Sequence, residues 1–209
     1  MYRIAVLAST NGTDLQAIID GLRSGLLPGV ELAGVLSNKA ECFAVQRARL
    51  AGYSTFAFDA AGKSREEFDA ELLAVLEELK VDLVVLVGYM RILSPLFIAA
   101  FPEKIINVHP SLLPAFSGPG AIDGNVHEAV LNFGAKVTGC TIHLVNEEVD
   151  AGPILLQKAC EVEPGETPDS LKEKVQLLEK EWYPKVILAF AEGRIEEDAQ
   201  GHFWLSEKK

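Results

Sequence analysis

An asparagine and a histidine stand two positions apart at the end of an apolar run in INVHPSLLP, residues 105–113. Side chains two apart on a strand point to the same face, so Asn107 and His109 can act on one small volume. The asparagine amide is a donor that does not titrate, and a histidine with its usual pKa of about 6.5 exchanges a proton near neutral pH. Together they suit acyl transfer, which develops an oxyanion and moves a proton. The alternative is that both side chains only satisfy backbone groups at the start of a loop.

An acidic residue that could assist this pair stands in VDAGPI, residues 149–154. If that turn folds over the strand, Asp150 could orient the His109 ring and relay protons through water. The alternative is an Asx turn or a cap, the usual use of an acidic turn residue. No serine or cysteine stands in a context that fits a nucleophile, so direct attack by a substrate amine is the simpler mechanism.

A glycine turn in STNGTDLQ, residues 9–16, indicates a second kind of site. Gly12 permits a tight or left-handed turn, and amides at the start of a following helix suit a phosphate group. The alternative is a plain turn glycine with Thr13 or Asp14 as the helix cap. The three-glycine spacing of a dinucleotide-binding fingerprint is missing.

A third stretch, GYMRILSP at residues 88–95, follows an apolar run. Its aromatic, methionine and arginine residues would build an apolar slot with one cation at the mouth, suited to a flat ring that bears a carboxylate. The alternative is a buried strand exit with a surface arginine.

The elements between these stretches must position them, and apolar runs alternate with stretches of helical periodicity. This alternation is typical of βαβ units, so we predict an α/β fold with a doubly wound, mostly parallel sheet, antiparallel C-terminal strands and a long C-terminal helix. Ligands bind such sheets beyond the carboxyl ends of the strands, where these stretches lie. The predicted strands are residues 3–9, 30–38, 54–59, 81–88, 104–109, 138–145 and 153–162. The predicted helices are 14–25, 41–52, 64–80 and 168–192, the last kinked or ended near Pro184, and 194–205 is a predicted hairpin.

The composition narrows the class of protein. With 209 residues, 49% of them hydrophobic, and no apolar run long enough to cross a bilayer, the chain suits one soluble domain or one domain with a small appendage. The net charge of -11 and the pI near 4.8 disfavour nucleic acid as a partner. Cys42, Cys140 and Cys160 form no close pair, so we predict neither disulfides nor a metal site. The N-terminal run indicates a strand rather than a signal peptide, so we expect a cytoplasmic protein.

Taken together, five segments resemble the phosphoribosylglycinamide formyltransferases, a family of folate-dependent formyltransferases in purine biosynthesis. They are NGTDLQAII, VVLVGYMRILSP, INVHPSLLP, VTGCTIHLV and VDAGPILLQ, which occur in the family's order and approximate spacing. The resemblance covers essentially the whole chain, and HPSLLP with VDAGPI is specific to the formyltransferase superfamily. It implies a single formyltransferase domain over residues 1–209 with a Rossmann-like fold, with phosphate binding in 1–100 and catalysis and folate binding in 101–209.

The resemblance also implies an activity, the transfer of a formyl group from 10-formyltetrahydrofolate to the amine of phosphoribosylglycinamide. The enzyme would be a monomer or homodimer that needs no metal. By the family pattern, the catalytic residues are Asn107, His109 and Asp150. The residues implied to bind the amine substrate are Asn11, Gly12, Thr13, Asp14, Met90, Gln176 and Glu179. The residues implied to bind the folate are Arg65, Tyr89, Arg91, Ile92, Leu93 and Asn107.

Two features depart from the family pattern. Asp14 stands where the family more often has asparagine, and its carboxylate would lie close to a dianionic phosphate unless it caps the helix. The segment AFSGPGAIDGNVHEAV, residues 115–130, is a few residues longer than usual and lacks a histidine often found there. We expect His127 to lie on a helix surface rather than to replace that histidine.

Three other functions remain open from the sequence. A formyltetrahydrofolate deformylase would keep Asn107, His109 and Asp150 with water as the acceptor, and it normally has an extra N-terminal regulatory domain. A methionyl-tRNA formyltransferase shares the core but has a C-terminal RNA-binding domain and a basic surface, which the acidic composition disfavours. A nucleotide-binding regulatory module without activity is disfavoured because all three residues are retained.

Overall fold

The computed structural model describes residues 1–118 and 125–206. Residues 119–124, within the segment 115–130 singled out above, lie outside this described part. The chain divides into two compact units, Met1–Asn107 and Val108–Lys209. Within the described ranges, no helix combines the length and the apolar character that a membrane crossing requires.

The first unit alternates strands and helices. Its elements are β1 (Tyr2–Ala8), α1 (Thr13–Ser24), β2 (Val30–Ser37), α2 (Phe43–Leu50), β3 (Thr55–Ala57), α3 (Arg65–Glu78), β4 (Leu83–Val87), α4 (Pro95–Ala100) and β5 (Ile105–His109), whose end belongs to the second unit. β1 pairs in parallel with β2 and β4, β2 with β3, and β4 with β5. β4 is buried at every residue, as expected for a parallel strand covered on both faces.

The second unit is built on antiparallel strands and one long helix. Its elements are α5 (Val126–Phe133), β6 (Val137–Leu144), β7 (Ile154–Glu161), α6 (Pro168–Ala191), β8 (Ile195–Glu197) and β9 (Phe203–Leu205). β6 pairs with β7 and β8 pairs with β9, both antiparallel. α6 starts at a capping box made by Thr167 and Ser170, and it continues through Pro184 instead of ending there.

The predicted fold class is confirmed. Seven strands form one mostly parallel sheet in the order β3-β2-β1-β4-β5-β6-β7, and β8 with β9 forms the predicted terminal hairpin. Each predicted strand and helix is present with small shifts at its ends. The sequence patterns do not predict α4, because a helix of 6 residues is too short to show a periodicity. Ser94 starts this helix by accepting a hydrogen bond from the Phe97 amide.

His127 lies on a helix as expected, but the expectation that it lies on the surface is wrong. Its side chain is 6% exposed, and it shares the buried face of α5 with Val126 and Val130. Burial lowers the pKa of His127, and the charge of Lys172 lowers it further. The ring is therefore a neutral, buried part of the helix face.

Candidate active site

β5 ends at His109, whose imidazole ring faces an acceptor at each nitrogen. Nε2 lies 3.0 Å from the carbonyl oxygen of Phe116, and Nδ1 lies 3.5 Å from Oδ2 of Asp150. A carbonyl oxygen only accepts, so Nε2 carries a proton and donates it to Phe116. Nδ1 faces a carboxylate and can hold a second proton there when the ring becomes an imidazolium. The ring is buried, where such an interaction is screened less than at the surface.

The Asp150 carboxylate faces two imidazole rings. Oδ2 also accepts a hydrogen bond from the Gly118 amide at 3.3 Å, and Oδ1 lies 3.9 Å from Nε2 of His143. These partners all lie outside the turn at residues 149–154, which favours a role in the site over an Asx turn or cap. The backbone at Asp150 is left-handed, with φ 56°, a conformation that aspartate and asparagine adopt more readily than most residues.

The turn that carries Asp150 packs directly against the end of β6. A Cβ added to Gly152 would overlap the carbonyl oxygen of Leu144. The Leu144 amide also donates to the carbonyl oxygen of Pro153 at 2.8 Å. The glycine of VDAGPI is therefore required by a close backbone approach, and this approach brings Asp150 beside His143.

His143 is a site residue that the sequence reasoning missed. It is almost fully buried on β6, and its Nδ1 donates to the Leu144 carbonyl oxygen at 2.8 Å. Burial lowers the pKa of His143 and outweighs the opposing effects of that hydrogen bond and of Asp150. The ring is therefore neutral at neutral pH, which leaves Nε2 as a proton acceptor beside the carboxylate. A signal was present, because the polar residues Thr141 and His143 stand two positions apart on the strand and therefore point to the same face.

Thr141 holds the segment that follows His109. Its hydroxyl donates to the Ser111 carbonyl oxygen at 2.7 Å and accepts from the Leu113 amide and the Gln157 side chain, both at 3.0 Å. Gln157 also donates to the Leu113 carbonyl oxygen at 2.9 Å. β6 and β7 thus fix the backbone that presents the Phe116 carbonyl to the imidazole.

The turn between β1 and α1 has Gly12 at the N-cap in a left-handed conformation, with φ 65°. No side chain caps the helix there, so the alternative with Thr13 or Asp14 as the cap is wrong. Asp14 is buried in the first turn of α1. A Cβ on Gly12 would lie 2.7 Å from Cβ of Ala44, too close for any side chain without movement.

For the activity that the family resemblance implies, replacing Gly12 by valine is expected to raise KM for the amine substrate by roughly tenfold or more and to change KM for the formyl donor little. Valine disfavours the left-handed conformation and would push the turn away from Ala44. Steady-state kinetics with each substrate varied checks this. Gly25→Val is the matched control, because Gly25 has φ 78° at the other end of α1 with open space around it. A Gly12→Val enzyme with parental KM would remove this turn from the site.

The segment after β4 is fixed at both ends. The Met90 amide donates to Oγ of Ser9 at 3.1 Å, and Ser9 in turn donates to Asn38 at 2.7 Å. At the other end, the Ser94 amide donates to buried Asp69 at 2.6 Å. Ser9 therefore ties this segment to the glycine turn that follows it in the chain, a link that a lone serine at a strand end does not predict.

Arg91 lies on an aromatic ring rather than in open solvent. Its guanidinium carbon is 4.3 Å from the ring centre of Phe68, which follows Arg65 by one turn on α3. Burial raises the pKa of the Tyr89 hydroxyl, and the carboxylate of Asp69 raises it further. Tyr89 is therefore a neutral phenol over the whole physiological range.

The sequence matches the formyl transferase family over residues 2–187. The chain belongs to this family. A phosphoribosylglycinamide formyltransferase of Escherichia coli strain K12 is 41% identical over 193 residues, which cover 92% of this chain and 88% of that protein. The human trifunctional purine biosynthetic protein adenosine-3 is 41% identical over 208 residues, but this chain spans only 20% of its length. Glycinamide ribonucleotide transformylase 1 from Symbiobacterium toebii has a crystal structure that matches with a TM-score of 0.91 and 42% identity, covering 99% of this chain and 95% of that one.

This formyltransferase places its remaining predicted site residues on regular elements. Asn107 is half-buried on β5, opposite Leu86 of β4. Gln176 and Glu179 lie one turn apart on α6, the first half-buried and the second 6% exposed. In the ranges 1–118 and 125–206, no group of three or more His, Cys, Asp or Glu side chains is arranged to hold a metal ion.

Proposed function

We propose that this formyltransferase moves a formyl group from 10-formyltetrahydrofolate to the amine of phosphoribosylglycinamide, giving formylglycinamide ribonucleotide and tetrahydrofolate. The observation that carries the proposal is the approach of Asp150 to within 3.5 Å of His109, at the end of the strand that also carries Asn107. Similarity to the Escherichia coli and Symbiobacterium toebii enzymes supports this choice of amine substrate.

The three residues suit the charge changes of this transfer. 10-Formyltetrahydrofolate supplies the formyl carbon, and attack by the amine puts negative charge on the formyl oxygen. The Asn107 amide donates to that oxygen, and protonated His109 is the second donor. In the structure Nε2 of His109 already donates to a carbonyl oxygen, that of Phe116, an acceptor that the developing oxyanion would replace. Asp150 stabilises the proton on Nδ1 and accepts, through water, the proton that the amine loses. The tetrahedral intermediate then collapses: the bond between the formyl carbon and N10 of the folate breaks, and N10 takes up a proton to give tetrahydrofolate.

The segment after β4 fits the folate. Met90 and Ile92 expose apolar side chains, 45% and 42% accessible. The Tyr89 hydroxyl and Nε of Arg91 are buried and have no hydrogen-bond partner within the described residues. A flat ring with polar edges would cover the apolar side chains and satisfy these groups. We assign Arg65, exposed at the start of α3, to the folate tail.

The amine substrate would place its phosphate at the start of α1. The left-handed N-cap at Gly12 leaves the first amides of the helix without a side-chain cap, an arrangement that suits an anion. We assign Asn11, Gly12, Thr13 and Asp14 to this contact, with the backbone contributing more than the side chains. Met90, Gln176 and Glu179 complete the proposed contacts to the amine substrate.

The proposed reaction requires an acceptor amine, which gives a direct test. Tetrahydrofolate should form when the protein, 10-formyltetrahydrofolate and phosphoribosylglycinamide are combined, and formation should be negligible when the amine is left out. In the proposed reaction the amine is the attacking nucleophile, so the formyl group has no acceptor when the amine is left out. Spectrophotometric detection of tetrahydrofolate with and without the amine checks this. Equal rates in the two reactions would identify a deformylase instead.

Several further properties of the protein stay predictions. These are a single formyltransferase domain over residues 1–209, independence of metal ions, a cytoplasmic location, and a monomeric or homodimeric state. Size-exclusion chromatography with light scattering tests the last of these.

A further inference from the structure

α2 forms hydrogen bonds to the backbone of the turn that we propose for phosphate binding. The Ala44 amide donates to the Thr10 carbonyl oxygen at 3.1 Å, and Nε of Arg47 donates to the Asn11 carbonyl oxygen at 2.8 Å. Nη1 of Arg47 also reaches Oε1 of Gln16, in the first turn of α1, at 3.3 Å. One guanidinium thus contacts the chain on both sides of Gly12.

These contacts determine where the amides of the turn point. In a planar trans peptide the carbonyl and the amide point in opposite directions. The carbonyls of Thr10 and Asn11 point to α2, so the amides of the same peptides, those of Asn11 and Gly12, point away from it. Neither amide has an acceptor in the described part of the chain. Successive free amides of this kind form an anion-binding concavity.

Arg47 also has an uncompensated positive charge. Arg3, Lys63 and Arg194 each form an ion pair with a carboxylate, whereas no carboxylate in residues 1–118 or 125–206 pairs with Arg47. In a chain of net charge -11, this cation lies behind a turn whose helix also carries buried Asp14. The guanidinium therefore places a positive charge on the α2 side of the turn, which favours an anion near the turn.

We infer that Arg47 is a positioning residue of the phosphate site: it fixes the Asn11–Gly12 peptide so that its amide faces the phosphate, and it adds positive charge behind that peptide. This inference rests on the proposed function for the identity of the substrate. It assigns to α2 a part in substrate recognition, although Arg47 acts through the turn and not by touching the reacting atoms.

The kinetic test compares two amines, phosphoribosylglycinamide and the same molecule without its phosphate. With the phosphorylated amine, Arg47→Met should raise KM by roughly tenfold to a hundredfold, leave kcat within about threefold, and leave KM for the formyl donor unchanged. With the phosphate-free amine, kcat/KM should be the same in the parent and the variant. KM of Arg47→Lys for the phosphorylated amine should lie between those of the parent and of Arg47→Met, because lysine keeps the charge but loses the planar donor geometry.

The matched control is Arg49→Met, on the same helix. Arg49 is exposed, and its Nε donates to Thr55 at 3.2 Å, away from the turn. This variant should keep parental KM for both amines. Equal losses of kcat/KM by Arg47→Met with the two amines would show a general structural effect and overturn the inference.

A binding test separates this inference from the proposed reaction, because it needs no formyl transfer. Ribose 5-phosphate should raise the Tm of the parent and of Arg49→Met, should raise that of Arg47→Lys less, and should leave that of Arg47→Met unchanged. Ribose alone should shift none of the four. A full parental shift in Arg47→Met, or a parent that responds equally to both sugars, would overturn the inference whatever the outcome of the transfer assay.

Discussion

Replacing Asn107 by alanine is expected to lower kcat by roughly a hundredfold to a thousandfold, the usual effect of removing one oxyanion donor, about 3 to 4 kcal/mol. In the proposed reaction the side-chain amide donates to the formyl oxygen as negative charge develops there, so its loss should affect the transition state more than the ground state. KM for both substrates should therefore change little. Single-turnover measurements with both substrates saturating give the rate of the chemical step directly.

Two further variants distinguish the loss of the hydrogen-bond donor from the general effect of replacing an asparagine. Asn107→Asp keeps the size but replaces a donor with a negative charge, so its rate should be at least as low as that of Asn107→Ala. Asn132→Ala, on the exposed side of α5, should keep the parental rate. If Asn107→Ala kept kcat within a few fold of the parent, the oxyanion role would be wrong.

Replacing Asp150 by asparagine is expected to lower kcat by roughly a hundredfold or more while the fold and the folate affinity stay close to the parent. Asparagine preserves the shape of the side chain and accepts the left-handed backbone with φ 56°, so the change removes mainly the charge that faces His109. An imidazolium at His109 would lose its counter-ion, and the amine would lose its route for proton release. Pre-steady-state kinetics with saturating substrates measures the effect.

The control for Asp150 lies in the same loop. Glu148 is exposed, its backbone carbonyl accepts from the Ala151 amide, and its side chain forms no hydrogen bond or ion pair within the described residues. Glu148→Gln should therefore leave kcat unchanged. If Asp150→Asn retained kcat within a few fold of the parent and lost about 1 kcal/mol or less of stability, the carboxylate would be a structural turn residue.

Local patterns predict most of the fold, because the apolar strand runs and the helical periodicity between them are properties of short segments. They also predict Asn107 and His109 as a pair, since two-residue spacing on a strand needs no tertiary information. The packing of residues 149–154 against the end of β6 is a tertiary contact, so the place of His143 beside Asp150 could not be read from either segment alone.

The cap of α1 and the contact of α2 with the glycine turn could not be predicted from the sequence for a different reason. Gly12 is the N-cap with a left-handed backbone, and a Cβ at that position would overlap Ala44 of α2. Short polar side chains next to a glycine indicate a cap only when the backbone stays extended, so Thr13 and Asp14 gave a misleading signal. Arg47 lies 36 residues from Asn11 in the chain, and its target is a backbone carbonyl that has no signature in the sequence.

The hydroxyl of Thr141 forms every hydrogen bond that a hydroxyl can form, because it donates one and accepts two. All three partners lie on other segments of the chain. Anyone who transplants the HPSLLP loop into another formyltransferase would therefore have to move Thr141 and Gln157 with it. The unit that can be transferred is the loop together with these two strand residues, which are distant from it in sequence. Homologous recombination designs should place their crossover points outside that set, because a chimera joined between residues 114 and 141 would separate the loop from its support.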